Sequence, residues 1–157
     1  MSITVETVKI VLAHLRQVVP DAVCRRDYDP IADVGELGDM EKPLLLVVPV
    51  ERDAEKYDVG GSQKNEFEID IAINVKLLHA DDPEAKVAEI DGLVELAEKV
   101  FNAFLKRVER NDNGIRVGFD QPNHLVFIGQ LDHHCFLSVI RISATVYDDR
   151  TRRKNQE

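Results

Sequence analysis

The clearest pattern in this sequence is a regular alternation of apolar and polar residues between Asn65 and Ala80. The odd-numbered residues from 67 to 77 are all apolar, and the even-numbered residues are mostly polar. A period of two over a dozen residues is typical of a β-strand with one buried face and one polar face. The polar face carries three successive carboxylates, Glu66, Glu68 and Asp70. Because burying three unpaired charges is prohibitive, we predict a long strand over residues 65–79 that keeps this face wet or against a polar partner.

Two other segments have the period of a helix. A broad apolar stripe lies within residues 4–19, where Ser2 or Thr4 is a suitable cap and Pro20 ends the helix. A second stripe runs from Asp82 through residue 108, with Asp82 as cap. Both helices are predicted to pack their apolar faces on a sheet.

The rest of the pattern predicts shorter strands and their connections. These strands are expected at residues 22–28, 43–50, 124–129 and 134–147. The first is expected at a sheet edge, pairing of the second is expected to stop at Pro49, and the NDNG stretch at 111–114 predicts a turn. The element order α-β-β-β-α-β-β predicts one α+β domain over residues 1–148, with two helices packed on one mostly antiparallel sheet.

Two polar segments are candidates for contacts with other molecules. Residues 51–64 are charged and interrupted by two glycines, which predicts a long exposed loop. Residues 149–157 are predicted to be a disordered charged tail. The candidate contact residues are Arg52, Glu55, Lys56, Tyr57 and Asp58 in the loop and Arg150, Arg152, Arg153 and Lys154 in the tail.

The net charge of −9 at neutral pH is unevenly distributed along the chain. Of the 20 basic and 29 acidic residues, four basic and one acidic lie in residues 150–157, so the rest carries 16 against 28, a net charge of −12. An acidic body repels phosphate backbones, which argues against general nucleic-acid binding by the folded part. The length of 157 residues is that of a single domain.

The DHHC stretch at 132–135 has residue types that ligate zinc, but neighbouring side chains of an extended segment point to opposite faces. At most Asp132 with His134, or His133 with Cys135, would converge. The carboxylate row is compatible with a divalent ion or a two-carboxylate hydrolase, yet no nucleophile motif or phosphate loop accompanies it. The residues therefore indicate a protein that is not an enzyme and needs no cofactor or metal. A small metal-binding protein or enzyme built on the carboxylate row and the DHHC stretch is the alternative.

The two cysteines, Cys24 and Cys135, are far apart in sequence, which fits a reduced, intracellular setting and leaves a single disulfide open. The N-terminus lacks the features of a signal peptide, and no apolar run approaches the roughly 20 residues of a membrane span. The expected location is the cytoplasm or a particle assembled there.

The layout of the chain resembles small phage and prophage virion proteins of the tail-terminator, or tail-completion, and head–tail joining group. The resemblance covers residues 1–148 and is one of layout, with weak local motifs. It follows the first helix, the YDP segment, the strands ending in LLVVPV and EFEIDIAINVKL, the helix with IDGLVELAEKVFNAFL and the strand FLSVIRISATVY.

The resemblance implies a protein without catalysis that has an α+β fold and forms a ring, commonly a hexamer. Such a ring stops polymerisation of the tail tube and docks to the head connector, and its inner wall is acidic so that DNA slides through. By this resemblance Glu66, Glu68 and Asp70 are expected to face the lumen or a neighbouring subunit. The expected partners are other copies of the chain, tail-tube and connector proteins, and DNA passing without specific binding; no membrane is involved. The expected location is the virion, or the host cytoplasm during assembly.

Overall fold

A computed structural model of the chain describes residues 2–32, 42–57, 63–79, 81–105, 107–120, 123–125 and 135–148. These residues form two helices and seven strands. The elements are α1 (Ile3–Val18), β1 (Val23–Arg26), β2 (Leu44–Tyr57), β3 (Gln63–Lys76), α2 (Pro83–Ala103), β4 (Val108–Arg110), β5 (Ile115–Phe119), β6 (Asn123–Leu125) and β7 (Cys135–Asp148).

All seven strands belong to one sheet, in the order β1-β2-β3-β7-β5-β4, with β6 paired to β7. The β1–β2 pair is parallel and the other pairs are antiparallel. β7 therefore lies inside the sheet, with β3 along its whole length on one side and β5 and β6 on the other. This architecture confirms the predicted α+β class and the mostly antiparallel sheet.

The main core lies between the two helices and one face of the sheet. The helix-side sheet residues with no exposed surface include Ile69, Ile71, Ile140 and Ile142. α1 is buried over much of its surface, whereas α2 buries only Leu93, Ala97 and Val100 completely or nearly so. The odd-numbered apolar residues of β3 thus face the helices, as the alternation predicts. Neither helix in the described part of the chain has the length and apolarity needed to cross a membrane.

The helix starts are those that the sequence predicts. The Ser2 hydroxyl accepts a hydrogen bond from the Val5 N–H at 3.4 Å, and the Asp82 carboxylate accepts from the N–H groups of Glu84 and Ala85. The end of α2 was predicted too late, because the helix stops at Ala103 rather than continuing to residue 108.

Phe104 is the C-cap of α2 and anchors this end of the helix in the core. Its side chain is completely buried and meets the rings of His14 and Phe119 edge to face, with centroids 5.0 and 5.1 Å apart. The chain turns at this point and returns to the sheet as β4. The following NDNG turn is present: the Asn111 side chain accepts hydrogen bonds from the N–H groups of Asn113 and Ile115, and Gly114 has a φ of 87°.

The predicted loop over residues 51–64 is wrong for most of its length. β2 does not stop pairing at Pro49 but continues opposite β3 to Tyr57, and β3 already begins at Gln63. Register shifts between Pro49 and Glu51 and between Ala54 and Tyr57 indicate β-bulges, and the first lets the strand continue past a proline. Residues 115–119, where no strand was predicted, form β5.

The YDP segment is fastened to the sheet by a single buried asparagine of β3. The Asn74 side chain accepts a hydrogen bond from the Ala32 N–H at 3.1 Å and donates one to the Pro30 carbonyl at 3.0 Å. Asn74 is 3% exposed, so its side-chain amide depends on the Ala32 N–H and the Pro30 carbonyl, rather than on water, for its hydrogen bonds.

We expect Asn74→Ala to lower the free energy of unfolding by about 2 kcal/mol, because it leaves the buried Ala32 N–H and the partly buried Pro30 carbonyl without their hydrogen bonds. Chemical denaturation of the two proteins measures the difference. Asn102→Ala, at an exposed position on α2, is the matched control and is expected to cost less than about 0.5 kcal/mol. Equal costs for the two variants would contradict the anchoring role.

Candidate functional site

The sheet face opposite the helices is divided into an apolar half and a polar half. The apolar half is a second buried cluster that consists of Ala32, Leu44, Leu46, Val48, Ala72, Cys135, Leu137 and Val139. The polar half continues along the same strands and contains the carboxylate row of β3. We refer to the polar half as the acidic face.

Asp70 stands at the boundary between the two halves and does not belong to the wet row. It is only 7% exposed and lies directly opposite Arg141 on β7. The Arg141 guanidinium donates two hydrogen bonds to it, Nε to Oδ1 at 2.9 Å and Nη2 to Oδ2 at 3.1 Å. The row was predicted to stay wet or to lie against a polar partner; for Asp70 that partner is Arg141 of the same chain, and this two-pronged pairing offsets the cost of its burial.

The other two carboxylates line an open groove on the acidic face. Glu66 is exposed and Glu68 is partly buried, and they lie opposite Thr145 and Ser143 of β7. Asp120 closes the far side, held by a hydrogen bond of 2.9 Å from its N–H to the Ser143 carbonyl. The groove has a volume of about 270 Å³.

Residues 51 and 53 of β2 are paired with Glu68 and Glu66 in the backbone register. The groove is negatively charged, since the ionisable side chains that line it are those of Glu66, Glu68 and Asp120. The arrangement attracts cations and repels phosphate groups.

The groove offers carboxylate and hydroxyl oxygens from Glu66, Glu68, Asp120, Ser143 and Thr145. In the described ranges, no group of three or more His, Cys, Asp or Glu residues is placed to hold a metal ion. The separation of Asp70 from the row leaves two strand carboxylates, Glu66 and Glu68, in the lining of the groove.

The chain matches no protein-family model, and no curated protein is similar to it in sequence.

The two cysteines lie on opposite faces of the sheet and are both free thiols. Burial raises the pKa of the Cys24 thiol, and the nearby Arg16 charge acts in the opposite direction. Burial likewise raises the pKa of the Cys135 thiol, against the effect of Lys76. Both are therefore poor thiolates, and their positions in separate cores exclude a disulfide between them in this fold.

The other predicted site residues are placed as follows. Arg52, Glu55, Lys56 and Tyr57 belong to β2 rather than to a loop. Residues outside the described ranges are Asp58, the Asp132, His133 and His134 of the DHHC stretch, and the basic tail residues Arg150, Arg152, Arg153 and Lys154.

A polar cluster that was not predicted lies between α1 and the β4–β5 hairpin. Glu6 is 7% exposed and accepts a hydrogen bond from the Asn111 amide at 3.1 Å. His14 is 6% exposed; its Nε2 lies 3.1 Å from the Ala103 carbonyl, and its Nδ1 lies 3.5 Å from a Glu109 carboxylate oxygen. The signal in the sequence was the presence of Glu6 and His14 inside the apolar stripe of α1.

Proposed function

We propose that this chain is a structural subunit of a phage or prophage virion, without catalytic activity. Its copies form a ring that terminates the tail tube or joins it to the head connector. The observation that carries the proposal is the acidic face: Glu66, Glu68 and Asp120 surround an open groove on a sheet whose other face is filled by helices. The resemblance in layout supports the same function.

The acidic face suits the wall of a channel through which DNA moves. A ring repeats the carboxylates of Glu66 and Glu68 around its axis, and a duplex in the lumen then meets negative charge from every side. Such a wall repels the phosphates at short range, within a Debye length of about 10 Å at 0.1 M salt, and leaves the duplex free to slide. The partners are then other copies of the chain, tail-tube and connector proteins, and DNA without specific contacts. The location is the virion, or the host cytoplasm during assembly.

The direct test is the mass and shape of the purified protein. Light scattering with mass determination, followed by negative-stain electron microscopy, is expected to show a closed ring of six copies, whose mass is a multiple of 17.8 kDa. Purified tail tubes are included in a second sample, because some rings of this kind form only on the tube. A strictly monomeric protein in both samples would overturn the proposal.

Reversing the charge of the groove is expected to make the protein retain DNA. The double variant Glu66→Lys/Glu68→Lys places ammonium groups where the phosphates pass, so duplex DNA should bind and be released again as salt rises. Filter binding or fluorescence anisotropy with a short duplex measures this.

The matched control is Glu84→Lys/Glu98→Lys, which makes the same change of charge at two exposed positions of α2. It is expected to leave DNA binding as weak as in the unmodified protein. Equal DNA binding by both double variants would indicate that net charge, rather than the acidic face, governs the effect.

A further inference from the structure

A cavity of about 270 Å³ lies between α1 and β4, the strand that forms one edge of the sheet. Ile10 and Ala13 supply apolar parts of its wall, and the other lining residues are polar. These polar residues are Lys9, His14 and Gln17 on α1, and Glu109, Arg110 and Asn111 on β4 and directly after it. The cavity therefore offers an incoming group both apolar contact and a few polar partners, as binding pockets usually do.

The His14 ring holds a buried acceptor that no residue of the described ranges satisfies. Its Nε2 atom lies 3.1 Å from the Ala103 carbonyl, which can only accept, so Nε2 carries a proton and donates. In the neutral ring Nδ1 is then an acceptor, and it is buried without a hydrogen-bond partner among the described residues. A buried polar atom of this kind carries a cost in free energy that an incoming donor would remove.

The Glu109 carboxylate lies beside this nitrogen and does not satisfy it. One of its oxygens is 3.5 Å from the His14 Nδ1 atom, but a carboxylate and an unprotonated ring nitrogen are both acceptors. Arg107 donates to the same carboxylate oxygen, so Glu109 already has a partner. Since Arg107 and the lining residue Lys9 already supply positive charge here, the site fits a neutral donor such as a hydroxyl group better than a further cation.

An exposed tyrosine at the other edge of the sheet carries such a donor. Tyr28 follows β1, which lies at the opposite end of the strand order from β4, and 78% of its surface is exposed. No residue in the described ranges forms a hydrogen bond with its hydroxyl group. Tyrosine combines a large apolar ring with a polar tip and is among the residues that most often anchor protein–protein contacts.

The backbone around Tyr28 is ordered by hydrogen bonds within the chain. The Asp27 carboxylate accepts from the N–H groups of Tyr28 at 2.7 Å and Asp29 at 3.3 Å. The Asp27 N–H donates to the Val47 carbonyl of β2 at 3.0 Å, and the end of the segment is bonded to Asn74 of β3. Because the segment is already ordered, docking of the Tyr28 side chain costs little additional backbone entropy.

We propose that the cavity beside β4 receives the Tyr28 side chain of a second copy of the chain. The ring then packs on Ile10 and Ala13, and the hydroxyl group donates to the His14 Nδ1 atom. The Lys9 ammonium group is available to the face of the same ring. Because the contact joins two different surfaces at opposite edges of the sheet, it is head-to-tail, the kind whose repetition closes a ring. The inference deepens the proposed ring and rests on it.

The test uses two variants that each disable one half of the contact. Tyr28→Ala removes the side chain that enters, and Ala13→Phe fills the cavity from an exposed position of α1. Each variant alone is expected to need a concentration at least about tenfold higher than the unmodified protein to assemble. The matched controls are Leu78→Ala, at a residue that is 81% exposed, and Ala88→Phe, at an exposed position of α2. Both controls are expected to assemble like the unmodified protein.

A mixture of the two disabled variants distinguishes a broken contact from a broken fold. Tyr28 is intact in the Ala13→Phe protein, and the cavity is intact in the Tyr28→Ala protein, so each pair of copies can form one contact and no more. Sedimentation velocity is expected to show a 1:1 dimer, with twice the 17.8 kDa mass of one chain, and no ring. Variants that had lost their fold would not recover an interaction on mixing.

The hydroxyl group is tested separately by adding Tyr28→Phe to the Ala13→Phe protein. This change keeps the aromatic ring and removes the donor to the His14 Nδ1 atom. The dimer with the Tyr28→Ala protein is expected to become about tenfold weaker, because the buried acceptor is again left unpaired. Equal affinity with and without the hydroxyl group would overturn its assignment as the donor.

The remaining outcomes separate this contact from the ring itself. Ring formation by Tyr28→Ala as readily as by the unmodified protein would overturn the inference and leave the ring intact. A mixture without the 1:1 dimer, under conditions in which the unmodified protein forms rings, would do the same. Absence of any assembly of the unmodified protein, with or without tail tubes, would instead overturn the proposed function.

Discussion

We expect Arg141→Met to lower the free energy of unfolding by about 3 kcal/mol, because it leaves the Asp70 carboxylate buried without its guanidinium partner. The value lies at the lower end for broken buried pairs, since Arg141 remains 33% exposed at its side chain and water can reach part of the site. Urea denaturation followed by circular dichroism measures the change. Glu68→Gln, on the same face and strand, is the control and is expected to cost less than about 0.5 kcal/mol.

The double variant Asp70→Asn/Arg141→Met distinguishes the loss of the ion-pair contact from the cost of leaving one charge buried and unpaired. Removing both charges is expected to recover most of the loss, since no buried carboxylate then remains unpaired. A double variant as unstable as the sum of the two single variants would show that the contact itself contributes little.

The second large effect is expected at Phe104, where replacement by Ala should lower the free energy of unfolding by about 4 kcal/mol. The side chain is fully buried and packs edge to face on His14 and Phe119, so its removal leaves a cavity at the junction of α1, α2 and β5. Thermal and urea unfolding both measure the loss. Phe104→Leu fills much of the volume and is expected to cost only about half as much.

The rate at which the His14 Nε2 proton exchanges with water measures local opening in the Phe104→Ala variant. The cavity beside β4 is lined by His14, so Phe104→Ala is expected to loosen this site before the distant Asp70–Arg141 pair. Unchanged protection at His14 together with a large global loss would indicate that Phe104 stabilises the core without organising the β4 edge.

The parts of the fold that the sequence predicted are those governed by local pattern. The alternation in β3, the caps at Ser2 and Asp82 and the NDNG turn each depend on residues within a few positions of each other, and each is present. Such local signals predict the element correctly because the burial of one face sets the spacing at which apolar residues repeat.

The parts that it missed depend on partners far along the chain. The burial of Asp70 requires Arg141, 71 residues later, and the role of His14 requires Ala103, 89 residues later. The ERDAEKY stretch is polar and lacks an apolar period, yet it pairs with β3 as a strand because β3 offers a continuous ladder opposite it. Tertiary pairing there overrides the local propensity.

The position of β7 within the sheet has a consequence for the order of events during synthesis. β3, β5 and β6 all require β7 as a neighbour, yet it is the last of these strands to leave the ribosome. The earlier strands of the nascent chain therefore lack their shared partner, β7, until residue 148 has emerged from the ribosome. Folding should be late and slow for a chain of this size, and a premature stop before β7 leaves strands exposed to aggregation and to cellular proteases.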